Sequence, residues 1–190
     1  GGYLIGLPNL GECAARVAIF GQAVQFPVHT ELMVAPNSCP FVLFDWPLSQ
    51  WGLVDARLAY ATCELVECRP SDGATELTFA VDATAELVIA WPESTIEDAR
   101  GWQFELAHKG WCLWTAGDMP AVAELIGRDE TRLVIRACAR ADVGNLRKAG
   151  LDESIIVGSA PGEVDHTHVN WRLSPLDPCG SDWFVDARQC

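Results

Sequence analysis

Short runs in which apolar and polar side chains alternate recur along the first half of the chain. In Thr75-Glu76-Leu77-Thr78-Phe79 the leucine and phenylalanine fall on one face and the polar side chains on the other. That period of two marks a strand with one buried side. β-like patterning of this kind predicts strands over residues 16–20, 23–27, 31–34, 41–44, 56–65, 76–81 and 85–90. Pro, Gly, Asn and Asp punctuate these runs, and Ser71-Asp72-Gly73 supplies a tight turn between two of them. Beyond Trp91-Pro92 the pattern changes. Residues 92–100 are polar and predict a short helix or an excursion, whereas 102–106 and 110–115 predict a hairpin. Helix-forming side chains over 119–126, opened by Asp118 and closed by Gly127, predict a short helix. A strand follows over 131–138 with Leu133 and Ile135 on one face, then a second short helix over 141–149 stopped by Gly150. The tail carries weaker strand patterns at 154–157, 168–173 and 183–185. The expected fold is therefore mainly β: an antiparallel β-sandwich of one or two packed sheets with two short helices in the second half. If the chain divides, it does so near 92–100, into 1–91 and a second β-rich part, 92–190, that either stands alone or completes the same domain.

Composition adds constraints. The chain has 190 residues, 49% of them hydrophobic, enough to bury a real core. Its longest apolar stretches, near residues 41–44 and 87–91, fall far short of the roughly 20 residues a membrane helix needs. No membrane span is expected. A net charge of −13 argues against nucleic acid as a partner, because phosphate binding relies on clustered lysine and arginine. The acidic balance suits a soluble domain. The first residues, Gly1-Gly2-Tyr3, contain neither a methionine nor the basic and apolar regions of a signal peptide, which suggests a chain trimmed or excised from something longer.

Eight cysteines leave two readings open: reduced thiols buried as small core residues, or disulfides in an oxidising compartment. No Cys-x-x-Cys pair occurs. Cys63 and Cys68, five apart on one predicted strand, are expected to point to opposite faces. Cys190 is the best placed for a bridge or an intermolecular bond. Reduced cysteines slightly favour a cytoplasmic over a secreted location.

Several segments taken together resemble the β domain that follows the catalytic barrel in bacterial family 35 glycoside hydrolases, the β-galactosidases. They are Gly2-Tyr3-Leu4-Ile5 followed by Asn9, Val24-Gln25-Phe26-Pro27, Phe41 through Trp46-Pro47-Leu48, Leu58-Ala59-Tyr60-Ala61-Thr62, and Leu77-Thr78-Phe79-Ala80 with Ala85-Glu86 behind. The resemblance spans residues 2–91, about half the chain. It departs at Cys63-Glu64-Leu65, where the family usually carries Gln-Pro. It implies β segments in this order and a catalytic pair of glutamates located on a barrel outside these residues, since a retaining glycosidase needs two carboxyls about 5 Å apart.

Local chemistry is sparse. In a strand, His166 and His168 of Asp165-His166-Thr167-His168 share a face and form a two-point metal grip, with Asp165 or Glu163 as a further ligand; a third protein ligand such as His29 or His108 would have to join them. Two ordinary histidines on a solvated edge are the plainer account. The acidic pairs Glu64/Glu67, Asp82/Glu86, Glu97/Asp98 and Asp129/Glu130 read as solvated charge. Gly-x-Ser-x-Gly and phosphate-binding glycine loops do not occur. Eight tryptophans are many for this length, and sugars stack on exposed indoles. Trp51, Trp102, Trp111 and Trp114 are the candidates for a carbohydrate platform, against burial in the core or at a partner domain.

The expectation is a non-catalytic β-sandwich accessory domain of, or partner to, a β-galactosidase-like glycoside hydrolase, needing no cofactor and offering a carbohydrate-binding surface. Its partner would be a catalytic barrel domain or subunit. Two alternatives come from other classes: a self-assembling structural or extracellular subunit, forming homo-oligomers through edge strands and terminal cysteines, and a metal-dependent enzyme built on the Asp-His-x-His cluster.

Overall fold

The computed structural model describes residues 2–143, apart from 21–24, 72, 109, 116 and 118, together with a strand at 184–189. Fourteen strands run through the first part: β1 (Tyr3–Gly6), β2 (Ala15–Phe20), β3 (Gln25–Phe26), β4 (Leu32–Val34), β5 (Phe41–Pro47), β6 (Arg57–Ala61), β7 (Glu64–Ser71), β8 (Ala74–Val81), β9 (Ala85–Ala90), β10 (Thr95–Arg100), β11 (Gln103–Ala107), β12 (Gly110–Thr115), β13 (Ala121–Ile126) and β14 (Arg132–Ala139). The last, β15, is Phe184–Gln189. A six-stranded sheet in the order β1-β5-β6-β9-β12-β11 faces a five-stranded sheet in the order β10-β13-β14-β8-β7. The third sheet is smaller: β15, β2 and β3 in that order, with β4 also paired to β2. All pairings are antiparallel except β14 with β8.

Alternation along the strands builds two cores. Ala85, Leu87 and Ile89 of β9 point toward the five-stranded sheet and join Leu77, Phe79, Leu113, Leu125, Leu133 and Ile135 in the larger cluster. All of these side chains are fully buried, and each leucine, isoleucine or phenylalanine among them contributes about 2 kcal/mol relative to exposure. The intervening residues of the central sheet face the other way. There Val42, Phe44 and Tyr60 meet Val17, Ile19, Phe26, Leu32 and Val34 of the small sheet in a second cluster. Phe26 stacks on Tyr60 with ring centroids 4.6 Å apart and leans on Phe44 at the same distance. The six-stranded sheet is thus covered on both faces over part of its width.

Two of the predicted elements change character. Residues 119–126 do not form a helix: Ala121, Ala123 and Leu125 alternate into the core as β13, between β10 and β14. Alanine, glutamate and leucine favour helix locally, but a strand in which every second residue is apolar and buried completes the sheet, and tertiary packing outweighs propensity. The polar stretch 92–100 likewise contains β10. The predicted second helix begins only as a 3-10 turn at Arg140–Asp142, and its remainder lies outside the described residues. The predicted run 56–65 breaks at Thr62-Cys63 into β6 and the start of β7. A bulge between Leu65 and Glu67 then shifts the alternation, so Cys63 and Cys68 both enter the larger core and do not point to opposite faces.

Candidate functional site

The central sheet's second face carries two rows of side chains, set by strand register. In one, Gln103 of β11 opposes Trp114 of β12, which opposes Glu86 of β9. In the next, Glu105, Cys112, Val88 and Tyr60 follow one another across β11, β12, β9 and β6. The loop after β3 lies over these rows. It follows a cis peptide at Phe26-Pro27 and brings Val28, His29 and Thr30 onto Glu86.

Glu86 is fully buried, not solvated as its place in the sequence suggested. Its carboxylate accepts the backbone N–H groups of Val28 and His29 at 2.6 Å each and of Thr30 at 2.9 Å. The Thr30 hydroxyl donates at 3.4 Å, and the Tyr60 hydroxyl also donates to it. A carboxylate surrounded by donors in this way acts as an anchor for the loop. Burial first, and then the hydrogen bond to Glu86, push the Tyr60 hydroxyl well above the ordinary tyrosine range. Cys112 lies beside this pair, and burial, followed by the Glu86 charge, pushes its thiol up to about 12.

Anchoring the loop places His29 on the surface end of the first row. His29 as a whole residue is exposed, but its side chain is only 24% exposed, because the ring stacks on Trp114 with centroids 3.9 Å apart and planes 15° from parallel. Its Nε2 lies 2.8 Å from the Glu105 carboxylate. On the other side, the Trp114 indole N–H donates to Oε1 of Gln103 at 2.8 Å. Two flat rings, a carboxylate and an amide therefore meet at the margin of the sheet. Such a group can stack on the apolar face of a flat ligand and exchange hydrogen bonds with hydroxyls at its rim.

Of the other tryptophans singled out in the sequence, Trp102 lies in the larger core, 5% exposed, at the turn between β10 and β11. Trp51 packs half-buried against the same core, and its carbonyl accepts the Thr75 hydroxyl at 2.6 Å. Trp111 is also half-buried, donates its indole N–H to the Ser94 carbonyl and meets Phe104 edge-on at 6.0 Å. Only Trp114 of the four joins a polar cluster on the second face. Asp165, His166 and His168 lie outside the described residues. Among the described residues no three His, Cys, Asp or Glu side chains gather as metal ligands, and His29 is engaged by Glu105.

Sequence reasoning read Glu86 only as solvated charge and His29 only as a third metal ligand, and missed the cluster they form. A signal for Glu86 was available: a charge inside Ala85-Glu86-Leu87-Val88-Ile89-Ala90, a run otherwise apolar on both faces. His29 carried none, because its place depends on a fold that pairs it with residues 76 and 85 positions later. No protein-family model matches the chain, and no curated protein matches it in sequence. No helix among the described residues is long and apolar enough to cross a membrane.

Proposed function

We propose that the chain is a non-catalytic β-sandwich accessory domain of a β-galactosidase-like glycoside hydrolase, or a partner to one, and that it holds carbohydrate at the His29–Trp114 stack. The observation that carries the reading is the stack itself, flanked by Gln103 and Glu105 at the open end of the second face. Sugars offer a C–H face to aromatic rings and hydroxyls to carboxylate and amide groups, and this arrangement supplies both. The family-like order of segments over residues 2–91 supports the glycosidase context. Glu86, the most deeply buried carboxylate among the described residues, spends its oxygens on the loop and Tyr60, which makes its role structural.

Titration with galactose and methyl β-galactoside, followed by tryptophan fluorescence, tests this. A saturable change that disappears in Trp114→Ala and persists in Trp51→Ala is expected. A flat response at sugar concentrations of tens of millimolar, or a response unaltered by Trp114→Ala, would reject the sugar site.

A further inference from the structure

The free edges of the two large sheets are not equivalent. β7 carries a bulge between Leu65 and Glu67 and has Pro70 near its end. β10 is bulged between Ile96 and Asp98 and exposes Glu97 and Arg100. β1 has four residues and runs through Gly6 into Pro8. Bulges, prolines, charges and shortness are the usual means by which a sheet edge is kept from pairing with another chain. β11 has no bulge, proline or glycine, and its first four residues are exposed. Phe104 is 47% and Leu106 74% exposed, both on the face that looks toward the five-stranded sheet.

The hairpin fixes which backbone groups are available. Ala107 opposes Gly110 across a two-residue connection, so that pair closes the ladder with hydrogen bonds. Alternation then directs the N–H and C=O groups of Glu105 and Gln103 toward β12 and those of Phe104 and Leu106 outward. Among the described residues no strand lies on that outer side. The two residues with free backbone groups are thus also the two with exposed apolar side chains.

We propose that β11 is a docking strand, whose edge takes an extended segment of another polypeptide with apolar side chains beside Phe104 and Leu106 and a lysine or arginine opposite Glu105. Strand addition of this kind draws affinity from main-chain bonds and specificity from alternate side chains. The choice of a basic partner rests on charge. Glu105 is 54% exposed on the opposite face, between the two outward-bonding residues, and its contact with His29 Nε2 uses one of its two carboxylate oxygens, Oε1. A second copy would bring another net charge of −13 to the same edge, and that repulsion favours a cationic segment over self-pairing.

The probe is a fluorescein-labelled, end-capped peptide of sequence Thr-Val-Thr-Val-Lys-Val-Thr, with two comparison peptides: one carrying glutamate for lysine, one N-methylated on the edge meant to bond β11. Fluorescence anisotropy against the whole chain is expected to show saturable binding. Affinity should fall at least tenfold for either comparison peptide and for Leu106→Pro, which removes an outward N–H together with the exposed leucine side chain. Hydrogen exchange should show the Phe104 and Leu106 amides slowing when the peptide binds. If Leu106→Pro fails to fold, the N-methylated peptide and the exchange data decide alone. Absence of binding, equal binding of all three peptides, or slow exchange of both amides before any peptide is added would overturn the proposal. So would a homodimer in size-exclusion chromatography that Leu106→Pro dissolves, since the occupant would then be a second copy.

Discussion

Tyr60 and Glu86, on the neighbouring strands β6 and β9, are joined by a hydrogen bond from the phenol to the carboxylate beneath the loop that carries His29. The bond lies between a central strand and its neighbour, within the second core. Removing either side chain therefore tests the floor of the cluster and its upper layer together.

Glu86→Ala leaves three backbone N–H groups and the Tyr60 hydroxyl without their acceptor, and is expected to cost about 3–5 kcal/mol. Glu86→Gln keeps one acceptor oxygen and should cost about 1–3 kcal/mol, and Tyr60→Phe, which loses one bond to a charged group, about 2 kcal/mol. Urea denaturation followed by circular dichroism measures all three. A cost below about 0.5 kcal/mol for Glu86→Ala would mean that the carboxylate does not hold the loop.

The strands and the sandwich were legible in the sequence because most runs, such as 76–81 and 85–90, alternate cleanly or are bounded by turn residues. Ala121-Val122-Ala123-Glu124-Leu125-Ile126 satisfies both a helix propensity and a strand alternation, and only its neighbours β10 and β14 decide between them. The third layer escaped for a related reason. Its strands overlap the runs expected over 16–20, 23–27, 31–34 and 183–185, but nothing in their pattern says that they pair into a separate sheet over the central one. Without that layer Glu86 looks like a charge on an open face.

Alkaline conditions should destabilise the fold. Burial pushes the thiols of Cys63, Cys68 and Cys112 up to about 12, and the Tyr60 hydroxyl is also raised. In the unfolded chain cysteine ionises near pH 8.5 and tyrosine near pH 10. Above these values the unfolded state binds fewer protons than the native state, so stability falls as pH rises. The contribution is fully present below about pH 8.5 and is lost progressively toward pH 12. Denaturation midpoints between pH 8 and 11 provide the check, and replacing Cys63 by alanine should flatten the slope.

Thiol labelling gives a second, kinetic view of the same residues. Cys13 and Cys39 are exposed and free, whereas Cys63, Cys68 and Cys112 are buried. A chromogenic disulfide reagent at pH 8 should modify Cys13 and Cys39 within minutes and the buried three only after unfolding, because the thiolate is the reactive form. Mass spectrometry of peptides from the labelled chain identifies the order. Fast native labelling of Cys112 would contradict the closed packing around Tyr60.

A close backbone approach sets the glycine at the start of β12. A Cβ added to Gly110 would fall 1.9 Å from the Ile89 carbonyl oxygen and 2.8 Å from the Ala90 Cα, both backbone atoms of β9. Gly110→Ala is expected to cost about 3 kcal/mol by forcing the two strands apart. At Gly127 a Cβ would meet the Trp91 ring at 2.3 Å, and a side chain has more room to move than a ladder. Gly127→Ala should therefore cost less, about 1–2 kcal/mol. Thermal melts of the two variants rank them.

The small sheet has a consequence for how the molecule can be divided. Its strands come from opposite ends of the sequence, since β15 pairs along the whole of β2. A fragment begun at β5 would keep both large sheets except the edge strand β1 yet bare Phe44, Tyr60 and Val88, and it would leave Glu86 a naked charge in the middle of an oily floor. A fragment ended after β14 would strip β2 of its longest ladder. The sandwich is therefore a unit of packing but not a unit of expression. The smallest piece worth cloning runs from β1 through β15.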